Sequence, residues 1–218
     1  MGTVKQNLTI VRERINEAAK GRSVTLVGVS KYQPVELIRE ALDCGLRDFG
    51  ENKMQEWQDK SCVFEEENVR WHFIGKLQTN KIKYINDNIF LVQSLESLKQ
   101  AEVMEKTFST KKDVLMQVNI GNEAQKSGIS PENVHKYVDL FEKFDKISVT
   151  GLMCIPPQVE DPKNYFIQMR DIFTSLQDAG YENIKTLSMG MSADYETAIQ
   201  CGSTMVRVGA AIFGGRKI

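Results

Sequence analysis

An excess of one sign of charge is absent: 28 Lys+Arg stand against 29 Asp+Glu, for a formal net charge of -1. That balance argues against a nucleic-acid binder working through bulk charge. Histidine is scarce at 2 residues, and the 4 cysteines, Cys44, Cys62, Cys154 and Cys201, are scattered with no CxxC pair. Neither type supplies metal-ligand spacing, so no metal is expected, and the cysteines read as reduced thiols of a cytoplasmic protein. No run of about 18 apolar residues exists to span a bilayer, and the start of the chain has neither the apolar core of a signal peptide nor an Arg/Ser-rich, acid-poor leader. The expectation is a chain that stays in the cytoplasm, away from membranes. Absent too is the GxGxxG turn of a dinucleotide-binding sheet: Gly28 is the only glycine between the first strand pattern and the next helical one.

What is present is regular alternation. At 218 residues, 41% hydrophobic and 26% charged, the chain can bury roughly 70% of its unfolded surface. Val4, Leu8, Val11, Ile15 and Ala18 recur at helical spacing, Thr3 and Gln6 form a capping box, and Gly21 follows, which predicts a helix from Thr3 to Lys20. Val24 to Val29 is a short apolar run without helical period, and Pro34 then opens a helix with Leu37, Ile38, Ala41 and Leu42 inward. Further strands are expected at Leu46 to Phe49, Trp71 to Ile74, Ile89 to Val92, Val114 to Val118, Ile147 to Leu152, Thr186 to Ser188 and Met205 to Val208. Helices are expected between them at Lys53 to Lys60, Gln78 to Ile85, Leu95 to Phe108, Pro131 to Phe144, Lys163 to Ala179 and Ala193 to Cys201. About eight βα units favour one domain over residues 1–218, a (β/α)8 TIM-type barrel with an extra N-terminal helix. A doubly wound sheet is the second choice. Asn7-Leu8-Thr9 matches a glycosylation sequon but lies inside the first helical pattern.

In such a barrel, functional side chains project from the carboxyl ends of the strands. Lys31, just past the first strand, is placed at the rim, where partial desolvation would free some amine to attack a carbonyl; it reads equally as a solvated loop lysine. Ser188-Met189-Gly190-Met191-Ser192 runs from a strand into a helix, with Ser192 as a candidate N-cap, and Gly209-Ala210 follows the last strand. Both loops suit a phosphate, and both suit ordinary turns. Gly209 to Arg216 lacks the Lys-Ser/Thr of a nucleotide P-loop. Arg207 alternates with Val206 and Val208, so it points either into the barrel toward an acceptor or outward into an ion pair. Lys126, in Gln125-Lys126-Ser127-Gly128, is a possible second amine or a solvated lysine. Lys76, Lys81 and Lys83 read as a solvated helix start or a rim that steers anions. His72 reads as a packed strand residue, and Met153, Met189 and Met191 as packing of the barrel mouth.

Val29-Ser30-Lys31, Gly50 to Glu56, Trp71 to Gly75 with Leu77-Gln78 and Asn80-Lys81, Lys126-Ser127-Gly128, Gly151-Leu152-Met153, Leu187 to Ser192 with Asp194, and Gly202 to Gly209 together resemble the pyridoxal phosphate homeostasis protein family, relatives of the alanine racemase barrel. The matching segments run in order along nearly the whole chain. The resemblance implies pyridoxal 5′-phosphate held as a Schiff base on Lys31. It also implies that Asn52 lines the ring pocket with Met189 nearby, that Ser192 and the backbone at Gly209 and Ala210 hold the phosphate, and that Arg207 faces the pyridine nitrogen. Relatives commonly carry Ser or Thr where this chain has Ala210, so one hydroxyl ligand is lost. A guanidinium at the ring nitrogen favours an unprotonated nitrogen and supports carbanion chemistry poorly. Racemising relatives add a second domain with a catalytic tyrosine, which this sequence does not carry; Tyr32 beside Lys31 is a weak stand-in. The implied function is therefore a monomeric cofactor carrier that exchanges pyridoxal phosphate with apoenzymes by transient contact, with a weak racemase or a barrel-based interaction module as alternatives.

Overall fold

In the computed structural model, which describes residues 2–85, 88–123 and 125–215, the chain forms a closed barrel of eight parallel strands taken in sequence order. The strands are β1 (Thr25–Val29), β2 (Asp48–Glu51), β3 (Arg70–Phe73), β4 (Ile89–Leu95), β5 (Lys112–Val118), β6 (Ile147–Cys154), β7 (Thr186–Ser188) and β8 (Met205–Val208). The helices are α1 (Val4–Ala19), α2 (Val35–Asp43), α3 (Met54–Val63), α4 (Leu98–Thr107), α5 (Val134–Phe141), α6 (Lys163–Asp178), α7 (Tyr195–Gln200) and α8 (Ala210–Phe213). The ring closes where β1 pairs with β8, Val27 opposite Arg207 and Gly28 opposite Val208.

The expected capping box is present: Thr3 Oγ1 accepts from the Gln6 N–H, and Gln6 Oε1 accepts from the Thr3 N–H. One stripe of α1 buries Val4, Leu8, Val11, Ile15, Ala18 and Ala19. This helix packs on α2, α7 and α8. Because α8 has only 4 residues, α1 supplies the cover over the β8–β1 seam that an eighth full-length helix gives in a regular (β/α)8 ring. Asn7 Nδ2 donates to the Ile212 carbonyl at 2.9 Å, so the sequon asparagine is part of this packing.

Residues paired across parallel strands share a face, and alternation sends their neighbours to the other. Leu26 and Val206 point outward into the large core under the helices, while Val27, Leu91, Leu115, Met153 and Met205 form a separate small cluster inside the ring. Arg207, level with Val27, therefore points inward.

Several boundaries move. β2 begins at Asp48, not Leu46, because Leu46 is already committed to the outer core. β4 runs on through Gln93 and Ser94 to Leu95, both polar side chains being fully buried. The segment Gln78 to Ile85 forms a tight 3-10 turn over Thr79–Tyr84, and another, Pro131–Asn133, precedes α5. Among the described residues no helix is long and apolar enough to cross a membrane. Arg216 and the end of the chain at Ile218 lie outside the described residues.

Candidate functional site at the carboxyl end of the barrel

β1 delivers its chain into a turn at Ser30 to Gln33, closed by the Gln33 N–H to the Ser30 carbonyl at 3.0 Å. Lys31 sits in this turn, half-buried, and Tyr32 takes the left-handed conformation with φ 62°. The turn is clamped from α3. Lys60 Nζ donates to the Ser30 carbonyl at 2.7 Å, to Glu51 Oε1 at 2.8 Å and to Glu56 Oε1 at 2.7 Å. Ser30 Oγ donates to Glu51 Oε1 at 2.7 Å, and Glu56 accepts the Tyr32 N–H. The backbone on both sides of Lys31 is thus tied to one buried cation and its two carboxylates. Burial pushes the Glu51 carboxyl above its ordinary value, against the opposing pull of Lys60. No individual role is expected of Glu51, Glu56 or Lys60 from the sequence, although Glu51 follows a strand and Gly50 to Glu56 carries part of the family resemblance. Their pairing across two elements has no signature in sequence spacing, although Glu56 and Lys60 stand at i,i+4 on α3.

The loops after β7 and β8 meet each other. Ser192 Oγ accepts from the Gly209 N–H at 3.2 Å and from the Ala211 N–H at 3.3 Å. The expectation that Ser192 caps its own helix is corrected: α7 starts at Tyr195, and Asp194 Oδ1 takes the Met191 N–H at 2.6 Å. The Ser192 hydroxyl bridges instead to the start of α8, which draws two backbone N–H groups toward one oxygen. Gly190 has φ +95° and Gly209 packs on Val29, where a Cβ would lie 3.1 Å from the Val29 carbonyl. Ala210, exposed, opens α8, where backbone N–H groups have no intrahelical acceptor.

Arg207 is 4% exposed, with Nη1 donating to Ser188 Oγ at 2.7 Å and Nη2 to the Cys154 carbonyl at 2.9 Å. Burial draws its guanidinium down from an ordinary value so high that it stays protonated. The Cys154 thiol, pushed up to about 12 by burial, stays neutral beside it. Asn52 follows β2, and its Oδ1 is buried without a partner. Its loop needs Gly75, since a Cβ there would fall 2.0 Å from the Asn52 carbonyl.

Other expected residues separate from this group. Met189 is fully buried in the outer core, so its side chain does not line the mouth; Met153 sits inside the ring and Met191 is 37% exposed. Lys126 pairs with Glu123 Oε2 at 2.5 Å and donates to the Pro156 carbonyl at 3.3 Å, so it belongs to the loops after β5 and β6. Lys76, Lys81 and Lys83 are exposed, the last two with their ammonium groups 5.5 and 5.0 Å from the Tyr84 ring centroid. Among the described residues no cluster of three or more His, Cys, Asp or Glu is placed to hold a metal.

Residues 1–217 match the alanine racemase N-terminal domain family. The pyridoxal phosphate homeostasis protein of Aquifex aeolicus is 40% identical over 223 residues, covering 97% of this chain and 98% of that protein. Among solved structures, PipY of Synechococcus elongatus without PLP superposes with a TM-score of 0.87 at 28% identity, covering 97% of this chain and all (100%) of that one. The same protein with PLP bound gives 0.83 at 27% identity, with the same coverage.

Proposed function

Since this chain belongs to the alanine racemase N-terminal domain family, and within it to the pyridoxal phosphate homeostasis proteins, we propose that it binds pyridoxal 5′-phosphate and serves as an intracellular carrier for it. Its residues fit that group. Lys31 Nζ would hold the aldehyde carbon covalently, and the Ser192 hydroxyl with the backbone N–H groups at Gly209 and Ala210 would hold the phosphate, the Gly209 N–H exchanging Ser192 Oγ for a phosphate oxygen. The orphaned Asn52 Oδ1 offers an unused acceptor beside them. Arg207 would donate to the ring nitrogen; a guanidinium can only donate, so it leaves that nitrogen an acceptor. When bound, the group supplies a carbonyl that exchanges reversibly between amines, which suits storage and transfer.

The observation that carries this reading is the closure of the barrel. Pairing of β1 with β8 brings the turn of Lys31 and the loops of Gly209 and Ser192 to the same end of the barrel, which supports reading an amine and an anion site from distant parts of the sequence as parts of one site. Met189 contributes only backbone in this reading, and Lys126 is a peripheral amine. The chain is read as one barrel unit over 1–218, monomeric and cytoplasmic, meeting apoenzymes transiently; its four free cysteines support a reducing compartment.

The test is a visible absorption spectrum of the purified chain incubated with pyridoxal phosphate, before and after borohydride. A visible band that borohydride abolishes, with the modification mapped to Lys31 and absent in Lys31→Ala, is expected. A wild-type protein with no band, or a band that survives Lys31→Ala, overturns the proposal.

A further inference from the structure

Arg207 poses an electrostatic problem that the cofactor site does not answer. It is almost fully buried, and among the described residues no carboxylate forms an ion pair with it, a costly state for a charge in a protein interior. Asp194 acts on it electrostatically from beyond ion-pair distance, and its own hydrogen bonds lead inward. Arg207 Nη1 donates to Ser188 Oγ, and Ser188 Oγ donates to Gln93 Oε1 at 2.7 Å. Gln93 Nε2 lies 3.0 Å from His72 Nδ1, and His72 Nε2 lies 2.9 Å from Asp48 Oδ1. Ser188, Gln93, His72 and Asp48 come from four different strands, and their exposures are 0%, 0%, 1% and 6%. Asp48 opens β2 at the amino end of the barrel, where its second oxygen meets Arg70 at 2.5 Å and both residues line a hollow of about 530 Å³.

The direction of every proton in this chain is fixed from its two ends. A guanidinium has no acceptor, so Ser188 Oγ must accept from Arg207 and give its own proton to Gln93 Oε1. At the other end, burial alone would raise the Asp48 carboxyl, but the hydrogen bonds from His72 and Arg70 outweigh it and hold it below its ordinary value, as an anion. Burial holds His72 below its ordinary value, against the pull of Asp48, so the ring is neutral with one N–H. That N–H must be on Nε2, facing the carboxylate; Nδ1 is then a lone pair, and the Gln93 amide must turn its NH2 toward it. Both ends demand the same orientation of Gln93. Four donor–acceptor steps point one way, from the cation to the anion.

We propose that Ser188, Gln93, His72 and Asp48 form a one-way hydrogen-bond relay across the barrel interior that fixes the guanidinium of Arg207 in orientation, as a donor toward the ring nitrogen of the bound cofactor. These are positioning residues: none lies at the cradle of Ser192 and Gly209 or at the turn of Lys31. The relay rests on the reading of Arg207 given above. With Nη1 spent on Ser188 and Nη2 on the Cys154 carbonyl, the guanidinium cannot rotate, and its remaining N–H groups are left for a ligand.

The experiment uses the full chain loaded with pyridoxal phosphate and two variants: Gln93→Met, which keeps length and removes the amide, and Asp48→Asn, which keeps shape and removes the terminal charge. Both are expected to weaken binding roughly five- to tenfold, the scale of one ordinary buried hydrogen bond. Asp48→Asn is also expected to move the pH midpoint of the visible band downward, because losing a negative charge disfavours the protonated lysine-linked form. Folded variants with wild-type affinity and wild-type midpoint overturn the relay. Should both variants fail to fold, nitrogen NMR of His72 in the wild-type chain decides: a changed Nδ1 shift on loading supports the relay, and an identical one overturns it. A wild-type chain with no visible band is a different failure, that of the cofactor assignment itself.

Discussion

Ala210 presents a methyl group at the open mouth, between two residues whose N–H groups turn toward Ser192 Oγ. The amide at this position survives any side chain, but a hydroxyl would add one more donor to an anion held there. A hydrogen bond to a charged group is worth about 1.5–3 kcal/mol. Ala210→Ser is therefore expected to tighten pyridoxal phosphate binding by about tenfold or more, read by equilibrium titration; unchanged affinity would mean that water already fills the place. The placement of Lys31, Arg207 and Ser192 near the carboxyl ends of their strands was legible in the sequence, because the alternation of strands and helices fixes where each strand ends. His72 was legible only as a packed residue. Its packing is real, but what it packs into is polar, and the clue was a set of inward-facing polar residues at strand positions: Asp48, His72, Gln93, Ser188 and Arg207.

The turn of Lys31 and helix α3 behave as one element. Lys60 is the only cation that an ion pair joins to Glu51 among the described residues, and Glu51 has no exposure to water. Replacing Lys60 by Met strands that carboxylate, and breaking a buried pair from one side costs about 3–5 kcal/mol. The sign of its pH dependence follows from the raised Glu51 carboxyl. The folded form binds more protons than the unfolded form between the ordinary and the raised value, so stability from this group is greatest at low pH and is lost as pH rises through the folded value. Without Lys60 the carboxyl rises further. Lys60→Met should therefore show a larger stability deficit against wild type at pH 7 than at pH 5 in denaturant titrations. An equal deficit at both would mean that Glu51 is not the group left stranded. Elements built on apolar runs, such as β1 and β5, were readable in outline. β2 and the end of β4 were not, because their inward faces are Asp48, Gly50, Gln93 and other residues that hydrophobic periodicity does not register. The 4-residue α8 was hidden in a glycine-bounded stretch that reads as loop.

At the scale of the whole molecule, α1 stands where the ring would otherwise be thinly covered. Leu8, fully buried, belongs to the outer core with Ile212 and Phe213 of α8. Leu8→Ala is expected to cost about 2–5 kcal/mol, seen as a lower thermal midpoint. It should also weaken ligand binding, since α8 begins at Ala210, within the proposed phosphate site. Full retention of affinity would show that the cradle is held by β8 and Ser192 alone.

The joining of β1 to β8 has a last consequence, for the history of each molecule rather than its resting shape. Lys31 is made early and Gly209 late, so a half-finished or partly opened chain has no complete grip on anything. A ligand that needs both recognises the finished ring and ignores every earlier form. Occupancy then works as a latch, drawing the population toward the sealed state by mass action.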